Sequence, residues 1–448
     1  MTAVRRLGGL VSSVRQVPGM FIGSAVEGAL PYPPLSQAPT LPAEWYRSSE
    51  HYQLERARIF WTQWHCVGSS DMLSNSRDFI TEMIAGWPVI IQRAAKRIQL
   101  SKESPPTTLR AFHNVCRHRA GPLALPQETT SLQGDADSVS KKCTGKSSIN
   151  GFKCRYHGWT YSDTGELRGT PHFDDHWPKD TPTEQKKEAE MRTCTECAPP
   201  TLKDFDKSDM GLYPIEVREE FGLIFVRLHS EKAIEMGLNP PVSLEVADRL
   251  VPAFDHAYEE MRAAFEGIEL ESYAFHSLET HVLDCNWKTY VDNYSEGYHI
   301  FVCHGDLNND ITAQGDYRVE VSPSGRMMKH VVPLKEDAKA SSEGLWVFTY
   351  PNLAINVYGQ GVSVERMMPL TPTTMAIKYL YLFKPGTSEE EISNSIAGSA
   401  QLTVEDKDIA EQVQINLNSG VYTTSRYSPR HENGTYAFHR TVWEACSL

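Results

Sequence analysis

Two groups of metal-ligand side chains stand in this chain. Cys116-Arg117-His118 is followed much later by Cys154-Arg155-Tyr156-His157. Asn286-Trp287-Lys288 then precedes Asp292-Asn293-Tyr294-Ser295-Glu296-Gly297-Tyr298-His299 and His304. Two thiolates and two imidazoles in a C-x-H … C-x-x-H arrangement suit a [2Fe–2S] cluster of the Rieske kind, in which one iron takes both sulfurs and the other both ring nitrogens. Gly121-Pro122 and Gly158 follow the two halves, where loops must bend tightly around a cluster. Zinc also accepts Cys₂His₂, but a C-x-H half is unusual for a zinc finger, and the Cys-Arg-Tyr-His-Gly-Trp-Thr-Tyr setting favours the cluster. Two histidines near a carboxylate suit a mononuclear Fe(II) centre with open positions for O₂. One set stores an electron that the other can use.

His299 and His304 are five residues apart, and five residues of a continuous helix turn through about 140°. They can meet one metal only if the helix stops, which the spacing predicts near His299, with His304 in the following turn and Gly305-Asp306 fitting that ending. Asp292, Glu296 and His299 recur at i, i+4 and i+7 and so share a face of the predicted helix. Trp287, Tyr290, Val291, Tyr294, Tyr298 and Ile300 in the same stretch predict that it is largely buried. A buried carboxylate needs a partner, and the free N–H of a ligating histidine is a natural one. The third ligand must be a carboxylate. Asp406, beside Glu405 in the helix that leads to Glu411, Gln412 and Gln414, is the choice, although acids at helix starts also serve as ordinary caps.

The elements that must position these residues follow from local pattern. Pro31, Pro33, Pro34, Pro39 and Pro42 exclude a helix interior. Apolar residues from Trp45 to Trp61 predict one helix. Residues 78–115 predict short strands with turns at Gly86-Trp87-Pro88 and Pro105-Pro106, and Val217–Leu228 predicts a hairpin arm. Residues 124–150 read as an inserted surface loop within the 35 residues that separate His118 from Cys154, and 170–212 as irregular. After a linker at 237–244, strands are predicted at 317–321, 345–350, 353–358 and 374–383, and helices at 285–299 and 388–418. Cys194-x-x-Cys197 could bind zinc or form a redox pair; an incidental pair of thiols is the simpler reading.

The 448 residues allow two or three domains, divided here as an arm (1–40), a cluster domain (41–236) and a mononuclear-iron domain (237–448). A net charge of −13 argues against a nucleic-acid surface and against general attraction to anionic membranes. Nine cysteines are too few for a disulfide scaffold and fit a reducing, intracellular compartment, the cytoplasm first. No run of 18 or more apolar residues predicts a membrane-spanning helix. Residues 1–26 have three arginines and no acid, which fits an organelle transit segment or a surface-draped arm.

The chain resembles the catalytic α subunit of the Rieske non-haem iron oxygenases. The likeness rests on Leu41-Pro42-Ala43-Glu44-Trp45-Tyr46, Phe112–Arg119, Asn286-Trp287-Lys288, Asp292–His304, Tyr350-Pro351-Asn352-Leu353 and Phe438-His439. It implies an α+β chain: an N-terminal all-β Rieske domain, then a helix-grip catalytic domain in which a curved antiparallel sheet wraps a long helix. It assigns Cys116, His118, Cys154 and His157 to the cluster, and His299, His304 and Asp406 to Fe(II). It implies a homotrimer in which Glu296 links His157 of a neighbouring subunit to His299, with Asn293 supporting that junction. Glutamate at the bridging position is similar to the choline monooxygenase-like branch. O₂ is then the co-substrate, and NAD(P)H acts only through a separate ferredoxin or flavin reductase. The expected reaction is hydroxylation or N-dealkylation of a small quaternary ammonium compound or amine, in a pocket drawn from Tyr294, Trp346, Phe348 and Tyr358, with Tyr298 and Tyr350 as further candidates; such aromatics are also ordinary core. Hydroxylation of a larger apolar or aromatic metabolite is the alternative, and a Rieske electron carrier the non-enzymatic one.

Overall fold

A computed structural model describes residues 32–94, 109–125, 127, 128, 141, 142, 144–171, 173, 184, 205–252, 254–310, 317–332, 335 and 344–448. Residues 1–26, Pro31, Pro105-Pro106, Cys194, Cys197 and much of 124–150 and 170–212 lie outside them.

The first half of the chain is built from small antiparallel sheets. Asp78–Ile84 and Trp87–Arg93 form a hairpin, and Leu109–His113 extends it. The turn is Ala85-Gly86, both at positive φ, so Trp87 and Pro88 belong to the strand rather than to the predicted turn. Gly151–Lys153, Thr160–Ser162 and Leu167–Gly169 make a second sheet, and the two sheets share one apolar cluster around Phe112, Phe152, Trp159 and Tyr161. The insertion at 124–150 is not wholly loop. Thr144–Lys146 joins the edge of Asp78–Ile84, and Gln127–Glu128 pairs with Lys141–Lys142. The predicted hairpin arm folds as Glu216–Glu220 and Leu223–Arg227 around Phe221-Gly222.

The helix expected from Trp45 to Trp61 is divided. A 3₁₀ turn covers Ala43–Tyr46, and Ser48 then caps Ser49–Glu55 by accepting from the His51 amide at 3.2 Å. A wider π turn, Arg56–Phe60, completes it. A side-chain cap at Ser48 competes with helix continuation there, which apolar spacing alone does not register.

The second half holds a seven-stranded antiparallel sheet. In spatial order its strands are Ala274–Leu283, Thr374–Phe383, Gly361–Thr371, Leu353–Tyr358, Gly344–Thr349, Met327–Val331 and Arg318–Val321. Three of these, at 274–283, 327–331 and 361–371, were absent from the predicted set. A long helix, Glu389–Asn418, lies on the inner face, where Tyr379 and Tyr381 hydrogen-bond Thr403 and Ser399. Together the two halves give the α+β architecture expected.

One large core runs from Leu41 through the sheet to Cys446. It encloses an ion pair: Lys288 Nζ lies 2.5 Å from Glu55 Oε1, both side chains fully buried, while Trp287 Nε1 donates to Glu55 Oε2 at 2.8 Å. The pair ties the N-terminal helix to Trp287–Tyr294, the short helix that carries the site. On the outer face Arg366 (3.1 Å) and Lys378 both bind Glu82 of the first half.

Candidate metal centres

Asn286 starts the site helix by accepting from the Lys288 amide at 2.9 Å, and Gln414 of the long helix accepts from Asn286 N at 2.8 Å. The helix Trp287–Tyr294 ends five residues before the expected stop. His299 caps the next short helix, Ile300–Cys303, and His304 closes it. The change of direction needs Gly297, because a Cβ there would lie 1.9 Å from the Tyr317 ring. Glu296 and His299 therefore do not continue the face of Asp292. That acid instead accepts from Tyr46 Oη at 2.6 Å and pairs with His439 Nε2 at 2.7 Å.

The break brings three donor atoms together. His299 Nε2 and His304 Nε2 are 3.2 Å apart. Asp406 Oδ1 lies 3.1 Å from His304 Nε2 and 3.6 Å from His299 Nε2. Metal–ligand bonds of about 2.1 Å meeting near right angles place donors about 3 Å apart, so two histidines and one carboxylate on one side of a point fit an iron centre with open positions. Both rings are held from behind. Glu296 Oε1 lies 2.6 Å from His299 Nδ1, and Glu405 Oε2 lies 2.7 Å from His304 Nδ1. Each carboxylate keeps the ring proton on Nδ1 and leaves Nε2 lone pairs for a metal. Asn293 Nδ2 donates to Asp406 Oδ1 at 2.7 Å, so its amide serves the third carboxylate rather than Glu296. Burial opposes charge on His304, but Asp406 and Glu405 outweigh it and raise its pKa.

The other four candidates sit on two matching loops. Ala120 N donates to Cys116 O and Gly158 N to Cys154 O, each at 3.0 Å. Ala120 and Gly158 take the positive φ that closes such loops. Cys116 and Cys154 are buried, and Tyr161 Oη is 3.2 Å from Cys116 Sγ. A Cβ on Gly121 would lie 2.9 Å from Cys154 Sγ, so the loop comes as near to the sulfur as glycine allows. The rings of His118 and His157 are 4.7 Å apart, and His118 stacks on Trp159. His118 Nδ1 is buried without a hydrogen-bond partner among the described residues. An orphaned ring nitrogen beside two buried thiols is the donor set that a Rieske cluster uses.

Tyr294, Trp346, Phe348 and Tyr358 do gather. Tyr294 lies 6.1 Å from Phe348, and Trp346 lies 6.5 Å from Tyr358. Tyr298 does not join them; it is exposed and stacks on His431. Tyr350 packs on Phe438 and under Arg326. Sequence reading passed over Glu405 as a ring partner, His330 among the gathered aromatics, and Asn356 and Glu365 on the inner face of the sheet. The alternation of Ser363 and Glu365 with apolar neighbours was the available signal for the last.

Comparison with known proteins finds two matching domains. A model of the Rieske [2Fe-2S] domain matches residues 63–185, and one of the ring hydroxylating alpha subunit (catalytic domain) matches 270–447. The chain is 27% identical over 407 residues to chloroplastic choline monooxygenase of Arabidopsis thaliana, covering 88% of this chain and 80% of that protein. It is 24% identical over 424 residues to the carnitine monooxygenase oxygenase subunit of Escherichia coli K12, covering 91% and 93%. Among solved structures it resembles the quaternary ammonium Rieske monooxygenase CntA in complex with L-carnitine, with a TM-score of 0.65, 22% identity and coverage of 93% and 99%. Naphthalene 1,2-dioxygenase from Rhodococcus shares the fold at a TM-score of 0.62, 16% identity and coverage of 91% and 94%. Among the described residues, no helix is long and apolar enough to cross a membrane. A cluster domain followed by an oxygenase catalytic domain places the chain among the Rieske non-haem iron oxygenases, as a catalytic α subunit that uses a [2Fe–2S] cluster and a mononuclear iron.

Proposed function

We propose that this enzyme hydroxylates or N-dealkylates a small quaternary ammonium compound or amine. The observation that carries the reading is the convergence of His299 Nε2, His304 Nε2 and Asp406 Oδ1, with both ring Nδ1 atoms held by carboxylates. The choice of substrate class rests on the choline and carnitine monooxygenases, which align along most of their length. Cys116, His118, Cys154 and His157 would hold the cluster. Bound at the triad, iron would supply the reduction of O₂ and the oxidation of a substrate C–H bond, and the cluster would supply one-electron storage.

The chain's own residues set the conditions for that chemistry. Glu296 and Glu405 orient the two imidazoles through Nδ1, and Asn293 fixes one oxygen of Asp406. The aromatic walls of Tyr294, Trp346, Phe348 and Tyr358 exclude water and offer π faces to a cation. We further place Glu296 at a junction between subunits of a homotrimer. His157 is exposed at the cluster, and Tyr298 (51% exposed) and Val302 (87%) flank His299 on the outside, apolar surface that suits a second subunit. A separate reductase delivers the electrons. We place the enzyme inside the cell, in the cytoplasm or an organelle, where the cluster thiols stay reduced.

The test supplies the iron-loaded protein with a surrogate reductase and NADH, and adds choline, carnitine or an apolar aromatic compound. Substrate-dependent O₂ uptake and an oxygenated or dealkylated product by mass spectrometry are expected with a quaternary ammonium compound. Turnover of the apolar aromatic set alone would overturn the substrate assignment.

A further inference from the structure

Glu365 is a buried acid on the inner face of the sheet that the metal triad does not use. It lies on Gly361–Thr371, in register with Ala354 on one side and Tyr379 on the other, and is 7% exposed. Its Oε1 accepts from Asn356 Nδ2 at 2.5 Å, and Asn356 Oδ1 in turn accepts from Tyr294 Oη at 2.6 Å. No lysine, arginine or histidine among the described residues forms an ion pair with it. Other buried carboxylates of this fold are matched: Glu55 has Lys288, and Glu82 has Arg366 and Lys378. An isolated buried carboxylate is costly unless a cation joins it.

The groups around Glu365 are those that receive such a cation. Tyr290 and Tyr294 of the site helix, Tyr358 of the neighbouring strand, and Tyr379 and Tyr381 of the next all lie close enough for its charge to oppose their ionisation. The charge of Asp406 on the long helix also acts on it, and Asn356 and Tyr294 link it to the site helix. An alkylated ammonium group has few or no N–H donors. It is recognised by charge and by aromatic faces, and here the two occur together.

We propose that Glu365 is the counter-ion for the cationic group of the substrate, oriented by Asn356 and Tyr294 and walled by tyrosine rings. This rests on the reading of the site as an oxygenase for quaternary ammonium compounds or amines. Burial first and Asp406 second push the Glu365 carboxyl up to about 8, and a cation beside it opposes that shift.

The test measures anaerobic binding to the iron-loaded protein by calorimetry, using choline, tetramethylammonium chloride and 3,3-dimethylbutan-1-ol, the uncharged carbon analogue of choline. Wild type should prefer choline to the analogue. Glu365→Gln, whose amide oxygen can still accept from Asn356, should bind choline about 10- to 100-fold more weakly and the analogue about equally. Equal choline affinity in the two proteins overturns the role of Glu365 and leaves the oxygenase reading standing. A wild type that binds neither cation overturns the substrate class and this inference with it. Should Glu365→Gln not fold, wild type alone decides: choline should bind at least about 10-fold more tightly than the uncharged analogue, and equal affinity for the two refutes the proposal.

Discussion

The two candidate metal centres are built on different physical terms. The cluster loops carry their ligands on short turns over a small core of their own, with the cysteines buried and His157 at the surface. The triad hangs on a broken helix and a long one inside the large core, and carboxylates stand behind both of its histidines. A centre that only passes electrons needs fixed ligands and an outward edge. A centre that must admit O₂ and a substrate needs open positions, so its fewer ligands are held by a second row of hydrogen bonds. The contrast teaches where each centre is vulnerable: the first at its sulfurs, the second also in the groups behind its ligands.

The widest separation comes from removing one ligand of each centre. Asp406→Ala should abolish turnover and lower iron from about three atoms per chain to about two, with the Rieske EPR signal intact. Cys154→Ser should remove that signal and its visible absorbance while the mononuclear iron stays. A single variant that empties both centres would break the comparison, because the two sites would then share one folding unit.

The next effect is on stability. Lys288→Met leaves Glu55 buried without its cation, which should cost about 3–5 kcal/mol and lower the melting temperature. Burial already works to raise the Glu55 carboxyl while Lys288 pulls it down, so losing the lysine forces that acid to take up a proton. A double change to Glu55→Gln and Lys288→Met should recover much of the loss. Retained stability in the single variant would mean that the pair does not anchor the site helix.

The cluster ligands were legible because all four lie within two short, locally closed loops whose spacing is the signal. The triad was legible only in part. His299 and His304 declared a helix break, but not that the helix would stop at Tyr294. The break depends on the Tyr317 ring packed on Gly297, a contact between distant segments. Asp292 looked like a partner for the ligands by helical periodicity, and the early stop sends it to His439 and Tyr46 instead. Asp406 was a weak choice from spacing that family resemblance strengthened, since more than a hundred residues separate it from the histidines. Strand 274–283 escaped prediction because polar and charged residues such as Glu279 interrupt its apolar alternation.

The smallest effect separates the two acids behind the histidines. Glu405→Gln keeps a hydrogen-bond acceptor for His304 Nδ1–H but loses the charge, and Glu296→Gln does the same at His299. Each should weaken Fe(II) binding about 10- to 100-fold, because a less polarised imidazole is a poorer donor. Excess Fe(II) should then divide them. Glu405→Gln, whose acid among the described residues serves the His304 ring and Gln401, should regain most of its turnover. Glu296→Gln should stay slow if Glu296 also joins His299 to the cluster of a neighbouring subunit. Titrating Fe(II) against O₂ uptake for both variants reads the split. Equal recovery would assign Glu296 to ring orientation alone and remove it from the electron route.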